Sequence, residues 1–234
     1  MAATWLHHHR RLDLLKLVVR NRGCNVQRSK PATREPVASA INNPNLLLGN
    51  PSIAAPSVAS IDNYLMVKPQ YVLSYNNKTH TANWVSWQLN SSWIGAAVSL
   101  DNFRPDDTLS AAWYKVRPND YTVRGYDRGH IAPSADRTRN EADNSPTFLM
   151  SNMMPQVSDL NRSVWGDLEE YCRELVQRRA RNFTFPTEPA ERKSSIGKKE
   201  KTSVPTKTWK VIVVRDRQGL GLQGVTANAQ ARSP

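Results

Sequence analysis

Residues Tyr126 to Leu175, and within them YDRGHIAPSADR followed by SNMMPQVSDLNRSVWGDLEEYCREL, constrain the fold more than any other part of this 234-residue chain. The stretch reads as a strand, a turn carrying His130, a second strand and a helix. The helix has the clearest pattern. Leu160, Val164, Trp165, Leu168, Tyr171, Cys172, Leu175 and Val176 recur at three-to-four spacing, with Ser158 or Asp159 as the cap. At about 100° per residue, Glu169 and Arg173 lie roughly 40° apart, and Asn161 lies roughly 80° from Glu169. All three are expected to project from one broad sector of one helix. Asn161 is near its N-terminus, where backbone donors and the helix dipole favour anions such as phosphate.

Strand signals precede this module. Tyr64–Tyr75 (YLMVKPQYVLSY) reads as a strand with Pro69 marking an edge, and Trp84–Leu89 (WVSWQL) alternates with period two, with Asn76-Asn77 as the turn between them. AAWYKV and DYTVRG predict short strands leading into DRGH, and Thr147–Met154 (TFLMSNMM) predicts a strand entering the helix through PQVSD. The tryptophans at 84, 87, 93, 113 and 165 sit in strand or helix patterns, which favours core packing over stacking on bases. The two cysteines, Cys24 and Cys172, are far apart in sequence. Cys172 shares the helix's apolar stripe and reads as a core residue rather than half of a disulfide.

The formal net charge is +12, which points to nucleic acid as a partner. Its distribution qualifies that reading. Residues 1–35 hold eight Lys/Arg against two acids, 177–217 hold twelve against four, and 36–176 hold eleven against fourteen. The basic excess therefore lies in the flanks. No apolar run approaches the ~20 residues of a membrane span. The first 43 residues form a basic segment with no clear signal peptide, since the apolar stretch Leu12–Val19 is short and broken by Lys16.

DRGH at Asp127–His130, Asn152 ahead of MMPQ, and then Asn161, Glu169 and Arg173 together resemble the signature of the DNA/RNA non-specific endonucleases. These are the ββα-metal (His-Me finger) nucleases, and the likeness is greatest to secreted cyanobacterial members. It covers roughly residues 45–176 and resumes over about 196–228. The fold it implies is α+β, a mainly antiparallel sheet with the ββα-metal finger set against it, in one endonuclease domain over 44–228 and a tail at 229–234. The location it implies is secreted or periplasmic. The resemblance also implies a buried apolar strand directly after the helix. The sequence there, 177–196, is basic, proline-broken and unpatterned, which predicts a disordered insert in place of that strand. An unpatterned stretch between two well-matched ones is what a local shift of reading frame would produce.

The activity implied is Mg²⁺-dependent hydrolysis of phosphodiester bonds in DNA and RNA, with Mn²⁺ as a substitute ion. Recognition would be backbone-directed and not sequence-specific, with a protein inhibitor as a further expected partner. His130 suits a general base, because imidazole titrates near neutral pH. Asn161 would be the direct Mg²⁺ ligand, since a cation that keeps most of its waters needs one or two protein oxygens. Taken alone, it also reads as an ordinary first-turn asparagine. Glu169 would bind waters of the ion or orient Arg173, and equally reads as an exposed acid paired with Arg173 at i, i+4. Arg173, Arg128 and Arg104 are the expected phosphate-facing arginines, and Asn152 supports the geometry around them. Asp127 is expected to be structural, a turn residue or a holder of the loop. The competing reading is a catalytically inactive or truncated family relative that at most binds nucleic acid through its basic flanks.

Overall fold

The computed structural model describes residues 18–19, 43–122, 125–179, 182–197, 201–215 and 222–230. Among the described residues nine strands follow one another as β1 (Val18–Val19), β2 (Tyr64–Val67), β3 (Val72–Asn76), β4 (Thr81–Leu89), β5 (Tyr126–His130), β6 (Met153–Val157), β7 (Asn182–Ile196), β8 (Thr202–Arg215) and β9 (Leu222–Gln230). Two α-helices, α1 (Glu141–Asn144) and α2 (Trp165–Arg179), lie between β5 and β7. Seven of these strands form an antiparallel sheet in the order β1-β9-β8-β7-β4-β3-β2, and β5 and β6 form a separate antiparallel pair. The fold is the expected α+β class.

The apolar stripe of the helix explains the packing. Leu168, Cys172 and Val176 of α2 bury against Leu73, Tyr75, Val85, Trp87 and Leu89 of the sheet and Ile212 of β8. This clamps the helix and the β5–β6 pair onto one sheet. Trp84, Trp87 and Trp165 are at most 2% exposed, so they pack in the core as their patterns predict. Cys172 is a free, buried thiol, and burial pushes its pKa up to about 12. Cys24 lies outside the described residues, as do most of the N-terminal segment and the last four residues. Among the described residues no helix is long and apolar enough to cross a membrane.

Several local expectations are corrected. Within 177–196, where a disordered insert is expected, residues 182–196 form β7, which pairs with β4 from Val85↔Thr187 to Leu89↔Phe183, and with β8 from Asn182↔Arg215 to Ile196↔Thr202. A central strand is held by N–H and C=O groups that almost every residue carries, so a ladder can form without an apolar period. AAWYKV is not a strand, and neither are the described residues of DYTVRG, of which Val123 and Arg124 lie outside the described residues. The first is turn and irregular chain, and a 3-10 turn at Pro118–Tyr121 interrupts the second, where Asp120 accepts from the Arg117 N–H (2.8 Å). Within Thr147–Met154 only Met153 and Met154 belong to a strand; 3-10 turns occupy Ser145–Phe148 and Met150–Asn152, and Leu149 between them makes an isolated bridge with Arg104. Pro146 and the hydrogen bonds of Asn144 and Asn152 supply local partners that compete with a strand ladder.

Gly129 is a position where close approach demands glycine, as Gly95 is against the backbone of Thr138 and Arg139. A methyl group at Gly129 would overlap the side chain of Gln156, which reaches across from β6 and is 1% exposed, with no room to swing away. Gly129→Ala is expected to lose about 1–3 kcal/mol through overpacking, and a thermal melt would show it. An unchanged melting temperature would mean that Gln156 relocates freely.

Candidate active site

The β5–β6 pair presents DRGH to a cleft of about 460 Å³, whose lining includes Phe103, Asp127, Arg128, His130, Asn161 and Arg162. Five of these come from two short stretches. Asp127, Arg128 and His130 lie on β5, and Asn161 and Arg162 lie on the turn that begins the helix. That turn is a π-helical segment, Leu160–Val164, continuous with α2. Its i→i+5 bonding widens the coil, as at many functional sites. Neither expected cap acts as one: Asp159 is itself helical with no side-chain cap bond, and Ser158 Oγ donates to Asp127 (3.0 Å).

The wide turn also breaks the assumption of 100° per residue between Asn161 and Glu169. Asn161 faces the cleft with His130, whereas Glu169 and Arg173 turn toward the sheet. The Lys210 ammonium of β8, fully buried, donates to Glu169 Oε1 at 2.6 Å. It also lies 4.5 Å from the ring centre of Trp165 and 5.1 Å from that of Trp87. Burial raises the Glu169 pKa, and Lys210 only partly offsets it. Arg173 Nη1 donates to Asp136 Oδ1 (2.9 Å), and the same carboxylate accepts from Trp87 Nε1 (2.9 Å). These pairs fasten α2 to the sheet behind the cleft.

The His130 ring is set edge-on to Phe148 (4.8 Å between centres, 90°) and tilted against Phe103 (5.5 Å). Desolvation by this apolar wall lowers its pKa to about 4, with Asp101 opposing and Arg128 assisting. The imidazole is therefore neutral at neutral pH. Arg128 also packs on Phe103, its guanidinium carbon 4.1 Å from the ring centre. The fork is exposed and held by the ring.

Asn152, fully buried, secures the turn after His130. Its Oδ1 accepts from the Ala132 N–H (3.0 Å), its Nδ2 donates to Ala132 O (2.9 Å) and Thr147 O (2.8 Å), and its own carbonyl accepts from the Ile131 N–H (3.0 Å). Arg104 does not line the cleft. Its guanidinium donates to Asn102 O (3.1 Å), Ser145 O (3.0 Å) and Ser145 Oγ (2.9 Å).

Asp127 joins the two halves of the site. Its carboxylate accepts from Asn161 Nδ2 (3.1 Å), Ser158 Oγ, and Arg162 through Nε (2.8 Å) and Nη2 (2.9 Å). Burial works to raise its pKa, and the bonds from Arg162, Asn161 and Ser158 outweigh it, leaving the carboxyl below its usual range. Because Asp127 takes the amide nitrogen of Asn161, the Oδ1 is left for the cleft, and no donor among the described residues occupies it. Among the described residues no three His, Cys, Asp or Glu converge. What is available is the amide oxygen of Asn161: a hard donor, which fits a cation that keeps most of its own waters.

Lys210 and Arg162 were not predicted from sequence. The signal for Lys210 is a lone cation inside TWKVIVV, where a buried charge demands a partner. Arg162, one residue past Asn161, reads in sequence as a solvated helix residue.

A family model described as DNA/RNA non-specific endonuclease matches residues 49–233. A nuclease of Nostoc sp. is 52% identical over 222 residues, covering 94% of this chain and 79% of the relative. Human mitochondrial endonuclease G is 32% identical over 169 residues, covering 66% and 56%. Among solved structures, a complex of EndoG with its inhibitor EndoGI matches with a TM-score of 0.64 at 25% identity, covering 76% of this chain and 82% of that one.

Proposed function

Because the chain belongs to the DNA/RNA non-specific endonuclease family, we propose that it hydrolyses phosphodiester bonds of DNA and RNA with His130 as general base and Mg²⁺ held through Asn161. The observation that supports this most is the meeting of a neutral His130, the open Oδ1 of Asn161 and the Arg128 fork in one cleft. A neutral imidazole accepts the proton of an attacking water as it moves onto phosphorus. The Arg128 guanidinium matches two non-bridging oxygens and neutralises the charge they gain. Mg²⁺, or Mn²⁺ in its place, would supply further charge neutralisation at the phosphate and the departing oxygen.

Asp127 fixes the Asn161 carboxamide, and Asn152 fixes the turn behind His130. Glu169, Arg173 and Arg104 take supporting parts, the first two through the helix–sheet contact and the third through the 145 turn. Contacts to phosphate rather than bases would make cleavage independent of sequence. The complex of EndoG with EndoGI suggests a protein inhibitor as a further partner.

The test is nicking of supercoiled plasmid across a Mg²⁺ titration, with EDTA as control. EDTA is expected to abolish cleavage. Asn161→Ala should need at least about tenfold more Mg²⁺ for half-maximal rate, the scale on which loss of metal-site groups acts. Cleavage that persists in EDTA, or a titration unmoved by Asn161→Ala, would reject the assignment.

A further inference from the structure

Arg162 has no part in the mechanism above, yet it stands at the rim of the same cleft. Its side chain is 72% exposed, and its fork is bidentate on Asp127, Nε to Oδ2 and Nη2 to Oδ1. The two oxygens of a carboxylate present this fork with the same pattern as two non-bridging phosphate oxygens. An exposed ion pair of this kind is weak and easily exchanged. Asp127 would keep Ser158 and Asn161 as donors after Arg162 leaves, so the metal-side geometry survives the exchange.

The two arginines of the cleft thus differ. Arg128 is fixed on Phe103 and faces the reaction centre, whereas Arg162 is held by one exchangeable partner. Resting on the nuclease reading, we propose that Arg162 is a substrate-binding residue that leaves Asp127 to grip a phosphate flanking the scissile one. Its ligand is the polynucleotide backbone, DNA or RNA, beyond the nucleotide being cut. Asp127 meanwhile holds the fork at the cleft mouth and shields it from unproductive anions.

Each phosphate neutralised contributes about −0.9 to the slope of log K against log salt for duplex DNA. Binding of a 30-bp duplex would be followed by fluorescence anisotropy in EDTA across potassium chloride concentrations. Arg162→Gln is expected to bind more weakly, with a slope shallower by about 0.9. Arg162→Lys, which keeps the charge, is expected to retain the wild-type slope. In Mg²⁺, kcat/KM of Arg162→Gln should fall at least tenfold more on plasmid than on bis(p-nitrophenyl) phosphate, which has one phosphodiester and no flanking phosphate. An unchanged slope, or an equal loss on both substrates, would overturn the proposal and leave Arg162 a mere partner of Asp127. Failure of the wild-type chain to cleave plasmid would instead count against the nuclease reading itself, since the salt slope is measured without cleavage.

Discussion

His130→Ala is expected to slow plasmid cleavage by about 10²–10⁴-fold, the usual contribution of a positioned general base. Its circular dichroism spectrum should remain native-like. The pH profile carries the sharper test. A histidine at its ordinary pKa of 6.5 would give kcat/KM an acid limb near that value. Desolvation between Phe103 and Phe148 moves His130 to about 4, so the base form persists well below neutrality. The wild-type profile should stay flat as pH falls past 6.5 and decline only toward pH 4.

Stability responds with the opposite emphasis. Above pH 6.5 the ring is neutral in both folded and unfolded chains and contributes no slope. Between 6.5 and about 4 the unfolded chain takes up the proton while the folded chain does not, so stability is lost as pH falls through this window. Urea unfolding at pH 7 and pH 5 should show the loss in the wild type, with His130→Ala losing less. An acid limb near 6.5 would mean that the ring is solvated in solution and that the aromatic wall does not enclose it. A catalytic rate unaffected by His130→Ala would remove the residue from the mechanism altogether.

The sequence made the site legible wherever chemistry and local spacing coincide. DRGH fixes His130 and Arg128 on one short strand, and NxxPQ followed by the helix brings Asn161 opposite them. Both follow from covalent neighbourhood and an antiparallel register, Asp127↔Gln156 through His130↔Met153. The apolar stripe likewise identified the helix face that packs on the sheet. What local spacing does not reveal is a contact with a distant partner. Arg173 was expected at the phosphate, but Asp136 draws it into the interior. Glu169 was expected at the ion, but Lys210, forty-one residues later, takes its carboxylate. A helical wheel could not foresee either, because the π turn changes the angle between Asn161 and the rest of the helix. The strand at 182–196 was missed for a related reason. Side-chain periodicity reports which face of a strand is buried, whereas ladder formation uses the backbone.

The Lys210–Glu169 pair gives the largest expected effect on stability. Lys210 Nζ has no exposure at all, lies between two indole rings and reaches Glu169 across the helix–sheet boundary. Removing one member of a buried pair leaves the other charge desolvated, at a cost of about 3–5 kcal/mol. For a chain of this size, ~2–4 °C per kcal/mol makes Lys210→Met melt roughly 6–20 °C below the wild type. The methionine keeps the contact with Trp87 and Trp165, so the deficit would report the stranded carboxylate rather than a cavity. Adding Glu169→Leu should recover most of it, because apolar replacement of both partners is often neutral. A double-mutant cycle isolates that coupling. The recovered double variant then separates two roles of Glu169. If the carboxylate serves only to anchor α2, restored stability brings restored cleavage. If it also assists at the ion, the double variant folds and stays slow. A Lys210→Met melting point within 2 °C of the wild type would show that the pair is hydrated in solution and does not fasten the helix.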